Sequence, residues 1–505
     1  MLASFTLPKR VLIILVVISV SLVVGYTLAN PDSYGSILLL SGLVGVMALP
    51  VMIRHYHPLL VVSLSTPVVF NFLPGQLNLW MVMAICGVVI TFLNRSLVKL
   101  PTSLHVPAIS WALVFFIIVT MVTSQLTGGL GFRVTGSAVM GGKRYYYAFA
   151  AVFIYFVLAS KAIPKDKALL YMCLWLVPAA ASFIANIAYL LGPSFYWVFS
   201  FLSADSIGFQ VAAEQNVAGG IVRWSGIMAF GVNSIFLLLV FCGIEGVLDI
   251  KKPWRLMLFL LALGLSLTGG FRGTLVFLTL ILSILFFIGG LHRKAVFPML
   301  ILTLTVGAIF IVPNATKLPL AMQRTLTVVP GLEVLPEAKW DAEDSKDWRL
   351  NMWKLLWPQV PQYMIIGKGF GIDPTEQYLM QESAKRGFAS GYEISLVNGD
   401  FHNGPLSVLI PLGIFGAFTF LWFSGASLWM LYRNFKYGDP DIKNINAFLF
   451  AFFLSKFVFF LTIFGSLTGD LIVFASVAGL GTSLNSGVAS KPTLPAYNPA
   501  PTSLV

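Results

Sequence analysis

Trp348-Arg349, Gly367-Lys368-Gly369-Phe370-Gly371 and Phe401-His402-Asn403-Gly404-Pro405-Leu406 open, divide and close a polar stretch, residues 348–416, in an otherwise oily chain. Before Asn314 almost every segment is a hydrophobic run, and after Leu406 the runs resume. With 505 residues, 58% hydrophobic and 10% charged, and a mean hydropathy of +0.87, the composition excludes an ordinary soluble globular protein. The chain reads as an all-α polytopic membrane protein, and residues 348–416 belong to the one long region able to carry soluble chemistry.

Working outward, Lys9-Arg10 precede an apolar run over residues 11–28, read as a retained first helix rather than a cleaved signal peptide. Further spans are expected near 36–53, 58–73, 76–93, 107–125, 145–160, 168–192, 226–246, 254–270, 273–290, 295–312, 402–431, 445–465 and 468–486. Each approaches the ~20 residues that a helix needs to cross the hydrocarbon core, giving about 14 (12–14) transmembrane helices. The chain divides into N-terminal helices (1–313), one large periplasmic loop (314–401), C-terminal helices (402–486) and a proline-rich cytoplasmic tail (487–505) expected to be disordered. Cys86, Cys173 and Cys242 all fall in apolar runs, so neither a disulfide framework nor a clustered metal site is indicated. The formal charge of +12 is that of basic cytoplasmic loops rather than of a nucleic-acid binder.

Orientation follows from basic residues in short loops, because Lys and Arg resist translocation. A cytoplasmic N-terminus puts Arg54, Arg95, Lys99, Lys161, Lys165 and Lys167 inside, followed by Lys251, Lys252, Arg255, Arg293, Lys294, Arg433, Lys436 and Lys443. The short outside loops carry only Arg133, Lys143, Arg144, Arg223 and Arg272. Both termini are then cytoplasmic, and the long loop faces the periplasm. Such a loop far exceeds the usual connection of ~4–6 residues and is the expected place for function. Trp348, Met352, Trp353 and Leu355-Leu356 have the spacing of an amphipathic helix that roofs a cavity or lies on the membrane, ended by Pro358 and Pro361.

This topology sets Arg223, Arg272 and His402 each at the outer end of a helix, with Arg349 in the outer loop. A lone arginine at a helix end is commonly an interfacial anchor, and His-Asn-Gly-Pro before a helix is commonly a cap and turn. Several cations converging with the one histidine on that face point further. Arginine's fork binds phosphate oxygens in pairs and keeps its charge, and histidine titrates near neutrality and can take a proton from an attacking hydroxyl. Together they suit group transfer from a lipid-linked diphosphate to an alcohol. Asn403 is a further candidate. So is Lys456, near the middle of a span, for which pairing with Asp470 is the favoured reading over contact with substrate. Lys143-Arg144 with Tyr145, Tyr146 and Tyr147 reads as an interfacial anchor.

Arg223-Trp-Ser-Gly226, Thr268-Gly-Gly-Phe-Arg272-Gly273, Arg349 with Trp353, Gly367-Lys-Gly-Phe-Gly371, and His402-Asn403 leading into Pro411-Leu-Gly-Ile-Phe-Gly416 resemble, in order and spacing, the superfamily of O-antigen ligases and O-antigen polymerases. The resemblance covers about 223–431. It departs from the family at Phe271, where serine is frequent, at Gly231-Val232-Asn233, which lacks a proline, and at Gly404-Pro405, where a bulky residue is usual. It implies a metal-independent, cofactor-free membrane glycosyltransferase that moves a saccharide from undecaprenyl diphosphate to a sugar hydroxyl on the periplasmic face of the bacterial inner membrane. The acceptor would be a growing glycan or lipid A core, for lipopolysaccharide or exopolysaccharide assembly, with envelope polysaccharide assembly proteins as possible partners. By position, His402 would be the base, with Arg223, Arg272 and Arg349 on the diphosphate. The rival expectation is a transporter or flippase of lipid-linked oligosaccharides, for which charges near mid-membrane and repeated halves would be usual.

Overall fold

The computed structural model describes residues 9–30, 33–70, 76–98, 104, 106–131, 139–200, 202, 221–294, 296–387, 395–397 and 399–491. Lys99, Arg133 and the tail over 492–505, all part of the sequence reading, lie outside the described residues. The chain forms α1 (Lys9–Ala29), α2 (Tyr34–Ser63), the two-residue strands β1 (Val69–Phe70) and β2 (Leu77–Asn78), α3 (Leu79–Val98), α4 (Pro107–Leu126) and α5 (Lys143–Leu158). It continues with α6 (Ala168–Leu176), α7 (Ala181–Leu191), α8 (Ser225–Val247), α9 (Pro253–Ser266), α10 (Arg272–Ile288) and α11 (Val296–Ile311). The long loop contributes α12 (Leu320–Leu326), α13 (Pro336–Leu356), α14 (Val360–Tyr363) and α15 (Pro374–Lys385), and α16 (Gly404–Tyr437), α17 (Lys443–Thr462) and α18 (Leu467–Leu484) complete the bundle.

Among the described residues, eight helices are long and apolar enough to cross a membrane, and Val17–Thr27, Pro253–Gly269 and Arg272–Ile288 are shorter apolar helices. The protein is therefore an all-α, multi-pass membrane protein with a minimal antiparallel ribbon, Val69 opposite Asn78. The expected spans at 36–53 and 58–73 are the two limbs of α2, which bends at His55 (φ −120°, ψ 21°). The second limb is helical only to Ser63, since Val69 and Phe70 turn into the ribbon. The expected span at 168–192 is α6 and α7 joined by a 3₁₀ turn at Val177–Ala180, where Pro178 removes a donor. In α18, 78% of the apolar window is buried, so α18 is central; the first limb of α2 is mostly exposed, while Tyr56, His57, Leu60 and Val61 of its second limb are buried. Gly479 of α18 packs on Leu158 of α5, and Gly481 on Leu431 of α16, the close approach that small residues permit between membrane helices.

Backbone and side-chain contacts define the two ends of the bundle. At one end, the His57 ring bonds Leu158 O through Nε2 (3.0 Å), Leu104 N donates to Ala159 O (2.9 Å) and Ile163 N donates to Ser483 O (3.0 Å). At the other, Asn78 Nδ2 donates to Tyr147 Oη (2.7 Å), Met140 N to Ile372 O (2.8 Å) and Leu467 N to Ser407 Oγ (2.9 Å). His402 and the helices α12–α15 belong to this second end.

The glycine-rich motif 367–371 is a structural clamp. Gly413 (φ +66°) breaks α16, and Ile414 N, which would donate to Ile410 O in an intact helix, donates instead to Met364 O (2.7 Å). The carbonyls this frees are satisfied from the motif: Lys368 N donates to Ile410 O (2.7 Å) and Gly369 N to Pro411 O (2.9 Å). Gly367 (φ +84°) lies against Pro411 O so closely that a Cβ would collide with backbone. Below this clamp Leu356, Val360, Phe401, Leu406 and Ile410 form a small apolar core, with Trp353 packed against it and donating through Nε1 to Phe401 O (2.9 Å). The long loop is thereby fixed to the helix whose N-terminus carries His402.

Candidate active site

Two of the arginine motifs are held side by side by their own backbones. Trp224 N donates to Thr268 O (3.2 Å), and Gly269 packs on Met228 too tightly for a Cβ. Gly270 (φ +68°) turns the chain into α10, whose first residue is Arg272. Arg223, just before α8, points Nη2 at both oxygens of Asp341 (3.2 and 3.4 Å) and lies over the Phe271 ring at 5.7 Å. Arg272 Nη2 donates to Ala342 O at 2.6 Å, so α13 is tied to both motifs.

A fourth arginine completes the cluster. Arg324 of α12 is 3% exposed, donates through Nε to Asp341 and through Nη1 to Gly270 O, and is held below the usual guanidinium range by burial and by neighbouring Arg223, with Asp341 opposing. Arg349, two turns along α13 from Asp341, is also held low by burial and then by Arg272 and Arg223, and stands 5.7 Å from the Phe464 ring. Even lowered, a guanidinium keeps its proton at neutral pH. Three cations thus gather around one carboxylate, and Arg349 extends the positive field toward His402.

His402 precedes α16 in a left-handed conformation (φ +48°), which costs a residue other than glycine on the order of 1–3 kcal/mol. Its ring is gripped by Trp348 (5.3 Å between centroids) and Phe464 (5.2 Å). Nδ1 is buried without a hydrogen-bond partner among the described residues, while Nε2 lies 3.7 Å from Asp400 Oδ2. Burial lowers its pKa below the ordinary 6.5, Asp400 opposes this and Arg349 adds to it. A neutral imidazole at neutral pH is the form able to accept a proton.

Of the residues singled out from sequence, the structure brings Arg223, Arg272, Arg349 and His402 to one end of the bundle. Asn403 caps α16, its Oδ1 accepting from Leu406 N (3.0 Å), so it sets the helix start next to His402. Lys456 pairs with Asp470 at 2.7 Å in the bundle interior, and Asp470 Oδ2 also accepts from Ser466 N. Sequence reasoning singled out none of Arg324, Asp341, Asp400 and Phe464. A usable signal for Arg324 was its place amid Leu320, Ala321, Met322 and Leu326, where a solvent-exposed arginine would be unusual. Among the described residues no three His, Cys, Asp or Glu side chains are grouped to hold a metal ion.

Residues 256–421 match the O-antigen ligase family. The chain carries an O-antigen ligase domain. Such a domain marks a membrane glycosyltransferase of the O-antigen ligase and polymerase type. The ligase domain takes in Arg272, Arg324, Asp341, Arg349 and His402, and leaves Arg223 outside its N-terminal limit. Arg223 nevertheless shares Asp341 with Arg324 of the ligase domain. No curated protein matches the chain.

Proposed function

We propose that the protein transfers a saccharide from undecaprenyl diphosphate to a sugar hydroxyl of a glycan or of lipid A core, on the periplasmic face of a bacterial inner membrane. The observation that carries this reading is the convergence of four arginines on one side of a neutral histidine. In the proposed step the acceptor oxygen attacks the anomeric carbon and gives its proton to His402 Nε2. The bond from that carbon to the diphosphate oxygen breaks, and the departing diphosphate carries away the bonding pair. Arg223, Arg272, Arg324 and Arg349 offset the charge that grows on it, the role of preorganised donors at a developing anion. His402 returns its proton to solvent or to the leaving diphosphate.

The orientation rests on charge. At the end opposite His402 lie Arg54, Arg95, Lys161, Lys165, Lys251, Lys252, Arg293, Lys294, Arg433 and Lys443, a distribution that favours the cytoplasm for that end and for both termini.

The test is His402→Ala in purified protein supplied with a polyprenyl-diphosphate-linked saccharide and an acceptor sugar. Transfer is expected to fall by ~10²–10⁴-fold, the usual worth of a general base, with the protein still folded and inserted. Wild-type transfer rates in this variant would remove His402 from the mechanism, and absence of transfer by the wild type with any such donor would remove the reaction. In a deletion strain, polymer left on its carrier lipid indicates a ligase, and single repeat units on the core indicate a polymerase.

A further inference from the structure

Lys143 and Arg144 have no part in the donor site just described. With Tyr147, Ser466 and Thr468 they line a cavity of about 430 Å³ between the start of α5 and the start of α18. The cavity is close to His402 by two routes. Phe464, whose ring contacts His402, is two residues from Ser466 on the cavity wall. Arg144 packs on Gly399, where a Cβ would meet its Nη1 at 2.7 Å, and its charge answers Asp400, the carboxylate 3.7 Å from His402 Nε2.

The charged groups at this end are linked pair by pair. Arg324, Arg223 and Arg272 share the neighbourhood of Asp341, Arg349 feels Arg272 and Arg223 and acts on His402, and Asp400 acts on both His402 and Arg144. His402 is thus connected to the arginine cluster through Arg349 and to the cavity through Asp400 and Arg144. In a transfer that inverts the anomeric carbon, the hydroxyl approaches from the side opposite the leaving group with the base beside it, and a cavity adjoining His402 on the side of Asp400 suits that approach.

We propose that the cavity lined by Lys143, Arg144, Tyr147, Ser466 and Thr468 is the acceptor subsite, and that it takes a saccharide bearing a carboxylate or phosphate group. This rests on the transferase reading above. Lys143 and Arg144 set two positive charges against the one carboxylate of Asp400, and the net positive charge matches an acidic substituent, as charge-assisted hydrogen bonds to anions are stronger than neutral ones. The hydroxyls of Ser466 and Thr468 can exchange hydrogen bonds with sugar hydroxyls, and the Tyr147 ring, packed on Trp80 at 5.2 Å, forms the aromatic part of the wall. The edge of that ring is already oriented, because Tyr147 Oη accepts from Asn78 Nδ2 at 2.7 Å and Lys143 Nζ stands 5.8 Å from its centroid.

The full-length protein in lipid nanodiscs, with no donor present, is titrated with a glucuronate-containing trisaccharide, its carboxyl-reduced neutral counterpart, mannose 6-phosphate and mannose. At least one acidic probe is expected to bind about tenfold more tightly than its neutral partner, and which one does so tells a carboxylate acceptor from a phosphorylated one. K143Q and R144Q are each expected to abolish that preference, and K143R to keep it. In the transfer assay K143Q raises the acceptor KM about tenfold and leaves the donor KM within about twofold. Equal binding of acidic and neutral probes, or acidic binding unaffected in both Gln variants, overturns the proposal, as does a loss in K143R as complete as in K143Q. Because binding is read without donor, a protein that binds the acidic probe yet transfers nothing contradicts the transferase reading and leaves the cavity assignment standing.

Discussion

Replacing Asp341 with asparagine is expected to loosen the ligand-free protein and to strengthen its hold on diphosphate. Asp341 accepts from Arg223 and Arg324, and Arg324 is 3% exposed, so removing the negative charge leaves a guanidinium buried without its counter-charge. Breaking a fully buried pair costs about 3–5 kcal/mol. The Asp341 side chain is 31% exposed, which admits solvent screening, and asparagine retains one acceptor oxygen, so a loss of about 1–3 kcal/mol is expected. The same change removes the carboxylate that stands where a phosphate would be drawn by the arginines. If carboxylate and phosphate compete, inorganic pyrophosphate binds Asp341→Asn more tightly than it binds the wild type. A tenfold gain corresponds to about 1.4 kcal/mol of added stabilisation at saturating pyrophosphate. The assay is thermal unfolding in detergent across a pyrophosphate titration. The variant should melt lower than wild type without pyrophosphate and gain more on its addition. A variant that melts lower and gains no more than wild type would refute the idea that Asp341 occupies the phosphate's place.

Two further outcomes follow from the same geometry. With His402 as the proposed base, the active form is the neutral one, its pKa held below 6.5, so transfer should hold through neutral pH and decline only on the acid side of that value. Asp400→Asn removes the group that raises this pKa and should move the decline to lower pH, whereas Arg349→Met removes a lowering charge and should move it to higher pH. Shifts of kcat against pH in the reverse directions would exclude His402 as the titrating group. For the interior pair, Lys456→Met alone leaves Asp470 uncompensated and should destabilise the protein by about 3–5 kcal/mol. The double variant with Asp470→Asn should lose less than the sum of the single losses by about 1–3 kcal/mol, measured by unfolding; simple additivity would show that the two residues do not act as a pair.

Much of this was legible from residue types alone. Hydropathy found most of the apolar helices within a few residues, because a segment crossing lipid must be apolar along its whole length, and missed by ten residues at 58–73, where the apolar run leaves the helix at Ser63 for the ribbon. The arginine and histidine motifs stood out because several cations and the one histidine of that face fell at the same end, where a lone cation would be an ordinary interfacial anchor. What hydropathy does not encode is the interior of the long loop, where amphipathic α12 and α13 depend on what they pack against. Arg324 became a site residue, and Asp341 its counter-ion, only when α12 and α13 folded across Gly270 and Ala342.

The sequence by itself determined that this chain is a bundle of membrane helices with one polar region, and that a few cations and a histidine gather at one end. Tertiary structure alone decided that the glycine-rich motif 367–371 repairs a broken helix rather than cradling a phosphate. Its backbone donors are consumed by Ile410 and Pro411, carbonyls left open by the turn at Gly413. It also decided that Lys143 and Arg144, an interfacial anchor by sequence, line a cavity beside the histidine. The physical reason is common to both: hydrogen-bond partners and charge neighbours more than 30 residues apart in sequence are set by packing, and no local pattern of residues specifies them.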